Sequence, residues 1–369
     1  MSMFVLMAGG TGGHLSPAMA LAQELRRRGH VVQLMTDHRV DQYGEGFPAR
    51  EIHIVPSATP SIRNPVRFAL AAVKIARGTV VAWLKLRSIK PDAVIGFGGY
   101  PTFPPFLAAS LSGIPGILHE QNTVMGRANR ALGRFAKVVA LSFERTARSE
   151  PFAAKCLVTG NLIRDRVKAV AATPYPALTP ADPVHLLIVG GSQGARAFAD
   201  IVPPAIAELP PELRSRLRVT QQCRPEDLDR VAEAYRQAKV NVELAAFFDD
   251  LPERMARSHL VISRSGASTI AELCALGRPA ILIPLPGSID ADQRSNALVM
   301  DGAGGGWIAE QATLSPLSLG TRLASLLSEP EALQRAAAAA KSLGQPLAVE
   351  KLAEIAEQLA LRNQGTRSE

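Results

Sequence analysis

The sequence predicts an α/β protein of two similar domains, each a parallel sheet wound with helices. Three observations carry that reading. A short apolar run, Phe4 to Ala8, leads into the glycine loop Gly9–Gly10–Thr11–Gly12–Gly13–His14 and then a helical pattern. The same order returns at Val184 to Gly190, followed by Gly190–Gly191–Ser192–Gln193–Gly194, the two loops starting 181 residues apart. Between them, Ala171 to Pro183 carries Pro174, Pro176, Pro180 and Pro183, the composition of a linker. At roughly 150 residues per domain, a chain of 369 residues accommodates two such units.

Each element has a local reason. Ser16 suits an N-cap and Pro17 a first helical position; Ala18, Leu21, Ala22 and Leu25 then share a face, and Gly29 ends the helix. Val31 to Thr36 reads as the next strand, with further strands at Ala93–Gly96 and Gly116–His119. In the second half a helix begins near Ala195, and strands follow at Val242–Ala245, Leu260–Ser263 and Ala280–Pro284. A last helix, about Leu347 to Arg362, aligns Val349, Leu352, Ile355 and Leu359 and needs an apolar surface to cover.

Composition narrows the class. Apolar residues make up 47% of the chain and charged residues 20%, too hydrophobic for disorder. Cys156, Cys223 and Cys274 are odd in number and far apart, so they read as free thiols and not as a disulfide framework or zinc site. The N-terminus lacks a basic region before its apolar run, so no signal peptide is expected. Ala93 to Leu118 is 26 residues without a charge, but nine are Gly or Pro, which excludes a membrane-spanning helix. With 41 Lys+Arg against 33 Asp+Glu, the net charge of +8 favours anionic partners. No nucleic-acid motif accompanies it.

Glycine loops between a strand and a helix start present backbone N–H groups and a positive dipole end to an anion; the bland alternative is a tight turn. The dinucleotide fingerprint fails because position 15 is Leu15, and neither loop ends as a Walker A motif. Gly190-x-Ser192-x-Gly194 also matches a nucleophile elbow. Its only downstream histidine, His259, opens a strand, so Ser192 reads better as a phosphate donor. His119–Glu120–Gln121–Asn122 fails as H-E-x-x-H because Thr123 stands fifth. Asp290-x-Asp292 reads as a solvated acidic loop, and no metal or cofactor is expected.

Arg264–Ser265–Gly266–Ala267–Ser268–Thr269–Ile270–Ala271–Glu272 is more specific. A serine can cap a helix facing a ligand, and Glu272 can accept two hydrogen bonds from a vicinal diol such as ribose, unless it merely partners the helix dipole. Ile62 to Lys90 carries seven basic residues. As one helix it would place Arg63, Arg67, Lys74, Arg77 and Lys85 on a stripe roughly 80° wide. Val66, Val73, Val80 and Leu84 would lie on one flank, with Phe68, Ile75, Trp83 and Leu86 on the other side. Such a segment suits an anionic membrane surface or an ordinary two-sided surface helix, and Gly78 could break it.

Together, Gly9–His14, Gly98–Tyr100, His119–Asn122, Gly190–Arg196, Arg264–Glu272 and Asp292–Gln293 with Asn296–Ala297 resemble the MurG family, in order from about Phe4 to Ala303. These N-acetylglucosaminyltransferases convert lipid I to lipid II in peptidoglycan synthesis. The resemblance implies the GT-B fold, two Rossmann-like domains facing a cleft. An acceptor and membrane-associating domain would cover 1–163, with the helix 345–369 crossing back to it, and a UDP-GlcNAc domain 164–344. It implies uracil on the main chain at Phe248, ribose on Glu272, and diphosphate near Ser192, Arg164 and the helix start Ala267–Ser268–Thr269. GlcNAc would meet Gln293 and Asn122, under Thr11, Gly12 and Gly13. Leu162 stands where the family commonly has proline, and Phe248 where an aliphatic residue is frequent.

The reaction expected is inverting, metal-independent transfer of GlcNAc from UDP-GlcNAc to the C4 hydroxyl of MurNAc in lipid I. His14 is the candidate base, with His119 or Glu120 in reserve. Gly9, Gly10, Gly98, Gly99 and Tyr100 would hold the acceptor diphosphate, and Arg63, Arg67, Lys74, Arg77, Trp83 and Lys85 would meet the membrane. The enzyme would sit peripherally on the cytoplasmic face of the inner membrane, with cell-wall synthesis proteins as further partners. A UDP-GlcNAc 2-epimerase, an antibiotic glycosyltransferase, a serine hydrolase and a non-catalytic anion-binding module are the competing readings.

Overall fold

The structure, a computed structural model, describes residues 1–9, 12–39, 46–60, 64–179, 181–191 and 194–368. It divides into two compact units, Met1–Asp165 with Pro346–Glu369, and Arg166–Gln345. The expected boundaries followed 163 and 344, so Arg164 falls in the first unit instead of the second.

In the first unit β1 (Met3–Met7), β2 (Val31–Thr36), β3 (Ile52–Ile54), β4 (Ala93–Gly96), β5 (Gly116–Glu120), β6 (Val138–Leu141) and β7 (Cys156–Val158) form one parallel sheet, ordered β3-β2-β1-β4-β5-β6-β7. Alternate residues of β1 feed opposite layers. Phe4, Leu6 and Ala8 pack with α1 (Gly12–Arg27) and the C-terminal helix (Ala348–Ser368); Val5 and Met7 pack with α2 (Pro65–Ile89) and α3 (Phe103–Leu111). The C-terminal helix buries Val349, Leu352, Ala353 and Ala356 there. Its Glu357 accepts from His30 Nε2 at 2.8 Å and Arg28 Nη1 at 2.9 Å, and Asn363 Nδ2 donates to the Asp92 carbonyl at 2.9 Å.

Two expectations are corrected. The first helix starts at Gly12 and not at Ser16, so Pro17 lies inside it and Gly12, Gly13 and His14 occupy its first turn. Pro17 is the sixth residue of this helix, past the first turn, so the helix does without the bond that an N–H there would give the Gly13 carbonyl. The basic helix also runs unbroken through Gly78. A Cβ there would stand 1.9 Å from the Pro56 carbonyl oxygen and 3.2 Å from Pro104 Cβ, so glycine is what lets α2 lie against its neighbours. Asn64 caps that helix, its side chain accepting from the Arg67 N–H at 3.0 Å.

In the second unit β8 (Val184–Val189), β9 (Leu217–Gln222), β10 (Asn241–Ala245), β11 (Leu260–Ser263), β12 (Ala280–Leu282) and β13 (Gly306–Ile308) form a parallel sheet ordered β10-β9-β8-β11-β12-β13. Among its helices, α4 (Arg196–Ala207) follows β8, α5 (Ala267–Leu276) follows β11 and α6 (Asp292–Gly302) follows β12. Leu186 and Ile188 pack with Phe198, Val202 and Ile206 of α4, and with Leu319 and Leu323. In both sheets the winding direction reverses at one place, between β1 and β4 and between β8 and β11. Open α/β sheets bind ligands just beyond the carboxyl ends of the strands at such a point.

Candidate functional site

The glycine loops stand at both reversal points. In the first unit, β1 leads to Gly9 and β4 to Phe97–Gly98–Gly99, where Gly98 and Gly99 have φ of +84° and +74°. Thr102 ties the strand ends together, its hydroxyl lying 2.6 Å from the Gly98 carbonyl oxygen and 3.0 Å from that of Met7. His14, in the first turn of α1, lies against both loops. A Cβ on Gly99 would meet His14 Cε1 at 3.3 Å, and one on Gly9 would meet its Nδ1 at 3.4 Å. Larger residues at either glycine would push the imidazole away.

Although part of its surface is open, His14 sits in enough protein that desolvation lowers its pKa to about 4; Arg39 lowers it further and Asp37 opposes. The ring is neutral at pH 7 and able to take a proton. Tyr100 opens a short helical turn, Tyr100–Thr102, and is half-buried beside it.

The reserve bases are placed differently. His119 is fully buried, its Nε2–H donating to the Gly160 carbonyl at 3.2 Å and its Nδ1 accepting from Gln121 Nε2 at 3.0 Å. Burial lowers its pKa to about 4, and it supports the strand end. Glu120 is buried too. It accepts from the backbone N–H groups of Asn122 (3.0 Å) and Gly126 (2.9 Å), and from Asn129 Nδ2 (2.8 Å). Desolvation raises its pKa despite these donors. Neither group presents a reactive atom outward; Glu120 instead fixes the backbone of Asn122. Asn129, which no spacing in the sequence marked, links Glu120 to Gly98: a Cβ on Gly98 would lie 3.3 Å from Asn129 Nδ2.

In the second unit, β8 runs into Gly190 and Gly191. A Cβ on Gly190 would stand 2.3 Å from the Ala195 nitrogen, so only glycine permits this turn ahead of α4. Gly194 N–H donates to the Gly191 carbonyl at 2.9 Å. Across the reversal, β11 leads through Arg264, Ser265 and Gly266 to α5, whose first residues are Ala267, Ser268 and Thr269. The hydroxyls of Ser265 and Ser268 are buried and have no hydrogen-bond partner among the described residues. Glu272 lies nearly buried on the second turn of α5.

Arg264 is a structural clamp that sequence reading did not separate from the ligand groups. It donates to the Ile283 carbonyl (3.0 Å) and Gln311 Oε1 (2.7 Å), and covers the Phe198 ring at 4.8 Å. Asn296 Nδ2 donates to the Ser265 carbonyl at 3.2 Å, joining α6 to the same turn. Gln293 Oε1 accepts from the Leu285 N–H at 3.0 Å, which orients its amide. Phe248 is buried beyond β10, with the Arg254 guanidinium 4.3 Å over its ring. Arg164 follows the buried Leu162 and Ile163; Leu162, which replaces the family's proline, anchors in the first unit's core. His259 accepts from the His185 N–H at 3.0 Å and reaches the Ala177 carbonyl at 3.3 Å, so both its nitrogens are engaged within the second unit.

On α2, Arg67, Lys74 and Arg77 are exposed and Lys85 is half-buried. Of the two apolar flanks, Val66, Val73, Val80 and Leu84 face outward; on the other, Phe68 is exposed as well, Ile75 and Trp83 are half-buried and Leu86 is buried. The half-buried Trp83 packs against the core on one side, with Arg87 4.8 Å from its ring. Gly10, Thr11, Arg63 and Ser192 lie outside the described residues. Among the described residues no group of three His, Cys, Asp or Glu could hold a metal ion, and no helix is long and apolar enough to cross a membrane.

Comparison with known proteins agrees with this architecture. Residues 4–141 match the glycosyltransferase family 28 N-terminal domain and residues 185–359 its C-terminal domain. A UDP-N-acetylglucosamine--N-acetylmuramyl-(pentapeptide) pyrophosphoryl-undecaprenol N-acetylglucosamine transferase of Methylobacterium nodulans is 50% identical over 361 residues, covering 97% of each chain. The protein of the same name from Allorhizobium ampelinum is 48% identical over 97% of this chain and 95% of its own. The crystal structure of Acinetobacter baumannii MurG superposes with a TM-score of 0.79 at 29% identity, covering 97% of this chain and all of the other. A UDP-GlcNAc 2-epimerase from Neisseria meningitidis shares the fold alone, at 16% identity and a TM-score of 0.67 over 96% of this chain and 99% of the other. The chain belongs to glycosyltransferase family 28 and, within it, to the MurG family of UDP-N-acetylglucosamine--N-acetylmuramyl-(pentapeptide) pyrophosphoryl-undecaprenol N-acetylglucosamine transferases, with the GT-B fold.

Proposed function

We propose that this protein transfers GlcNAc from UDP-GlcNAc to the C4 hydroxyl of MurNAc in lipid I, forming lipid II with inversion and without a metal ion. The observation that carries the reading is the pairing of glycine loops with reversal points in both sheets, with His14 against Gly9 and Gly99 in the first. The relatives' names give the transfer of N-acetylglucosamine and the two substrates, UDP-N-acetylglucosamine and N-acetylmuramyl-(pentapeptide) pyrophosphoryl-undecaprenol.

The acceptor's diphosphate binds the first unit's loops, Gly9–Gly10 and Gly98–Gly99–Tyr100, where backbone N–H groups suit an anion. His14 takes the C4 hydroxyl proton as that oxygen bonds to the sugar's C1 and the C1–O bond to UDP breaks. A base held near 4 is weak, but an arriving diphosphate adds negative charge beside it and raises its proton affinity toward the useful range.

The donor's diphosphate is met by Ser192, Arg164 and the start of α5, with Ala267, Ser268 and Thr269. A helix dipole supplies only ~0.3–2 kcal/mol, so the unpartnered serine hydroxyls and Arg164 matter more to the leaving UDP. Glu272 accepts from the ribose hydroxyls and the main chain at Phe248 from uracil. The family resemblance assigns Gln293, Asn122, Thr11, Gly12 and Gly13 to the GlcNAc.

The α2 helix supports attachment to an anionic membrane. Its 25 residues include five cations and no acid, and Val66, Phe68, Leu70, Val73, Val80 and Leu84 are exposed. Arg63 would extend the stripe. The proposed location is peripheral, on the cytoplasmic face of the inner membrane, beside other cell-wall synthesis proteins. The test is transfer of radiolabelled GlcNAc to a lipid I analogue, with and without EDTA. An EDTA-resistant β-1,4 product is expected; donor binding without transfer would point to an epimerase, and no donor binding would reject the assignment.

A further inference from the structure

The exposed side of α2 is not uniformly convex. Against α3 it leaves an open groove of about 440 Å3, lined chiefly by Phe68, Ala72, Ile75, Ala76, Thr79 and Leu107. Thr79 adds no polarity, because its hydroxyl donates to the Ile75 carbonyl at 3.0 Å. Nothing in this groove rewards water or a hydrogen-bonding ligand, so its occupant is hydrocarbon. The helix forming its wall bears five cations and no acid, so the occupant's head is anionic.

Its position selects among anionic lipids. Leu107 stands on α3, which follows from Gly98–Gly99 through the turn Tyr100–Thr102, and lies only about 6 Å along the helix from its first residue, Phe103. A bilayer can rest on the outward Val66, Val73 and Leu84, whereas the groove beside them, which Val80 also lines, takes a single chain that has left its neighbours. Leaving is easiest for a lipid whose head is already held on the same unit, because the chain then docks at high effective concentration. We infer that the α2–α3 groove binds the polyprenyl chain of the acceptor lipid, close to where its diphosphate is held. This rests on the acceptor reading above.

The test compares equilibrium binding of farnesyl diphosphate with that of inorganic diphosphate, in the full chain and in Ala72→Trp and Ala76→Trp. Both alanines are exposed, so the larger side chains fill the groove without entering the core. The wild type should prefer farnesyl diphosphate by about tenfold or more. Each variant should bring the ratio near one, while keeping the wild-type unfolding temperature and flotation with anionic phospholipid vesicles. Equal binding of the two probes by the wild type, or an unchanged ratio in both variants, would overturn the inference. So would a parallel loss of flotation, which would assign the groove to bulk phospholipid chains. A preference that the variants abolish, in a protein that transfers no GlcNAc, would reject the transferase reading while keeping a polyprenyl site.

Discussion

The two units wind their sheets in the same way yet equip them differently. Both place glycine at the reversal point, where close backbone approach needs it. In the first unit the side chain packed against those glycines is an imidazole, His14, kept neutral by burial. In the second, the groups gathered there are hydroxyls and a carboxylate, Ser265, Ser268 and Glu272. The first suits taking a proton and the second suits holding a nucleotide. The surfaces diverge too. Six large exposed apolar residues share α2, whereas in the second unit Phe247, Leu285, Leu298 and Leu317 are scattered over separate segments. The proposed division of tasks thus rests on a few residues at strand ends and on one helix of a shared scaffold.

This division can be broken one side at a time. The largest effect is expected from His14→Ala, which should lower kcat by roughly 10²–10⁴. The affinity for UDP-GlcNAc, measured by calorimetry, should hardly change; a comparable loss in both would make His14 a binding residue. Next comes Glu272→Ala. Removing an acceptor of two hydrogen bonds should weaken donor binding by about tenfold or more while leaving the KM for lipid I near wild type. Unchanged donor affinity would remove Glu272 from the site.

Smaller effects concern the platform. Gly78→Ala should cost about 1–3 kcal/mol, read from thermal unfolding, because the new Cβ meets the Pro56 carbonyl and α2 must shift. No destabilisation would mean that the helix moves freely there. Reversing Lys74 and Arg77 to Glu should weaken binding to anionic vesicles by more than the ~1 kcal/mol assigned to each lost cation, with transfer to a detergent-dispersed acceptor retained. Vesicle binding that survives both reversals would relocate the membrane face.

The sequence exposed the parts of this division that depend on chain-local rules. Strand, glycine loop and helix were legible at Phe4–Leu25 and again from Val184, because apolar runs and glycine clusters leave a pattern in any one stretch. The strands β3, β6, β7, β9 and β13 were not, although β4, β11 and β12 are as short and were; β3 and β9, for instance, interleave His53 and Arg218 with their apolar residues and offer no unbroken apolar run. Residue spacing could not tell that Glu120 and His119 are consumed by internal hydrogen bonds, because burial depends on elements far away in the chain. Nor could it choose the outward flank of α2. A helix with apolar residues on two sides is undecided until Gly78 and Leu86 are seen to face the core. The departure at the first helix has the same origin: Ser16 and Pro17 are strong local signals, yet the helix extends back to Gly12.

The most direct measurement is the pH dependence of kcat/KM, which reports ionisations of the free enzyme. A neutral His14 is active, and its activity is lost as pH falls through its own pKa. With that pKa lowered to about 4 by burial, the acid limb should centre near pH 4, well below an ordinary histidine, and should disappear from the residual activity of His14→Ala. A limb near the ordinary histidine value of about 6.5, or one that persists unchanged in His14→Ala, would contradict the account.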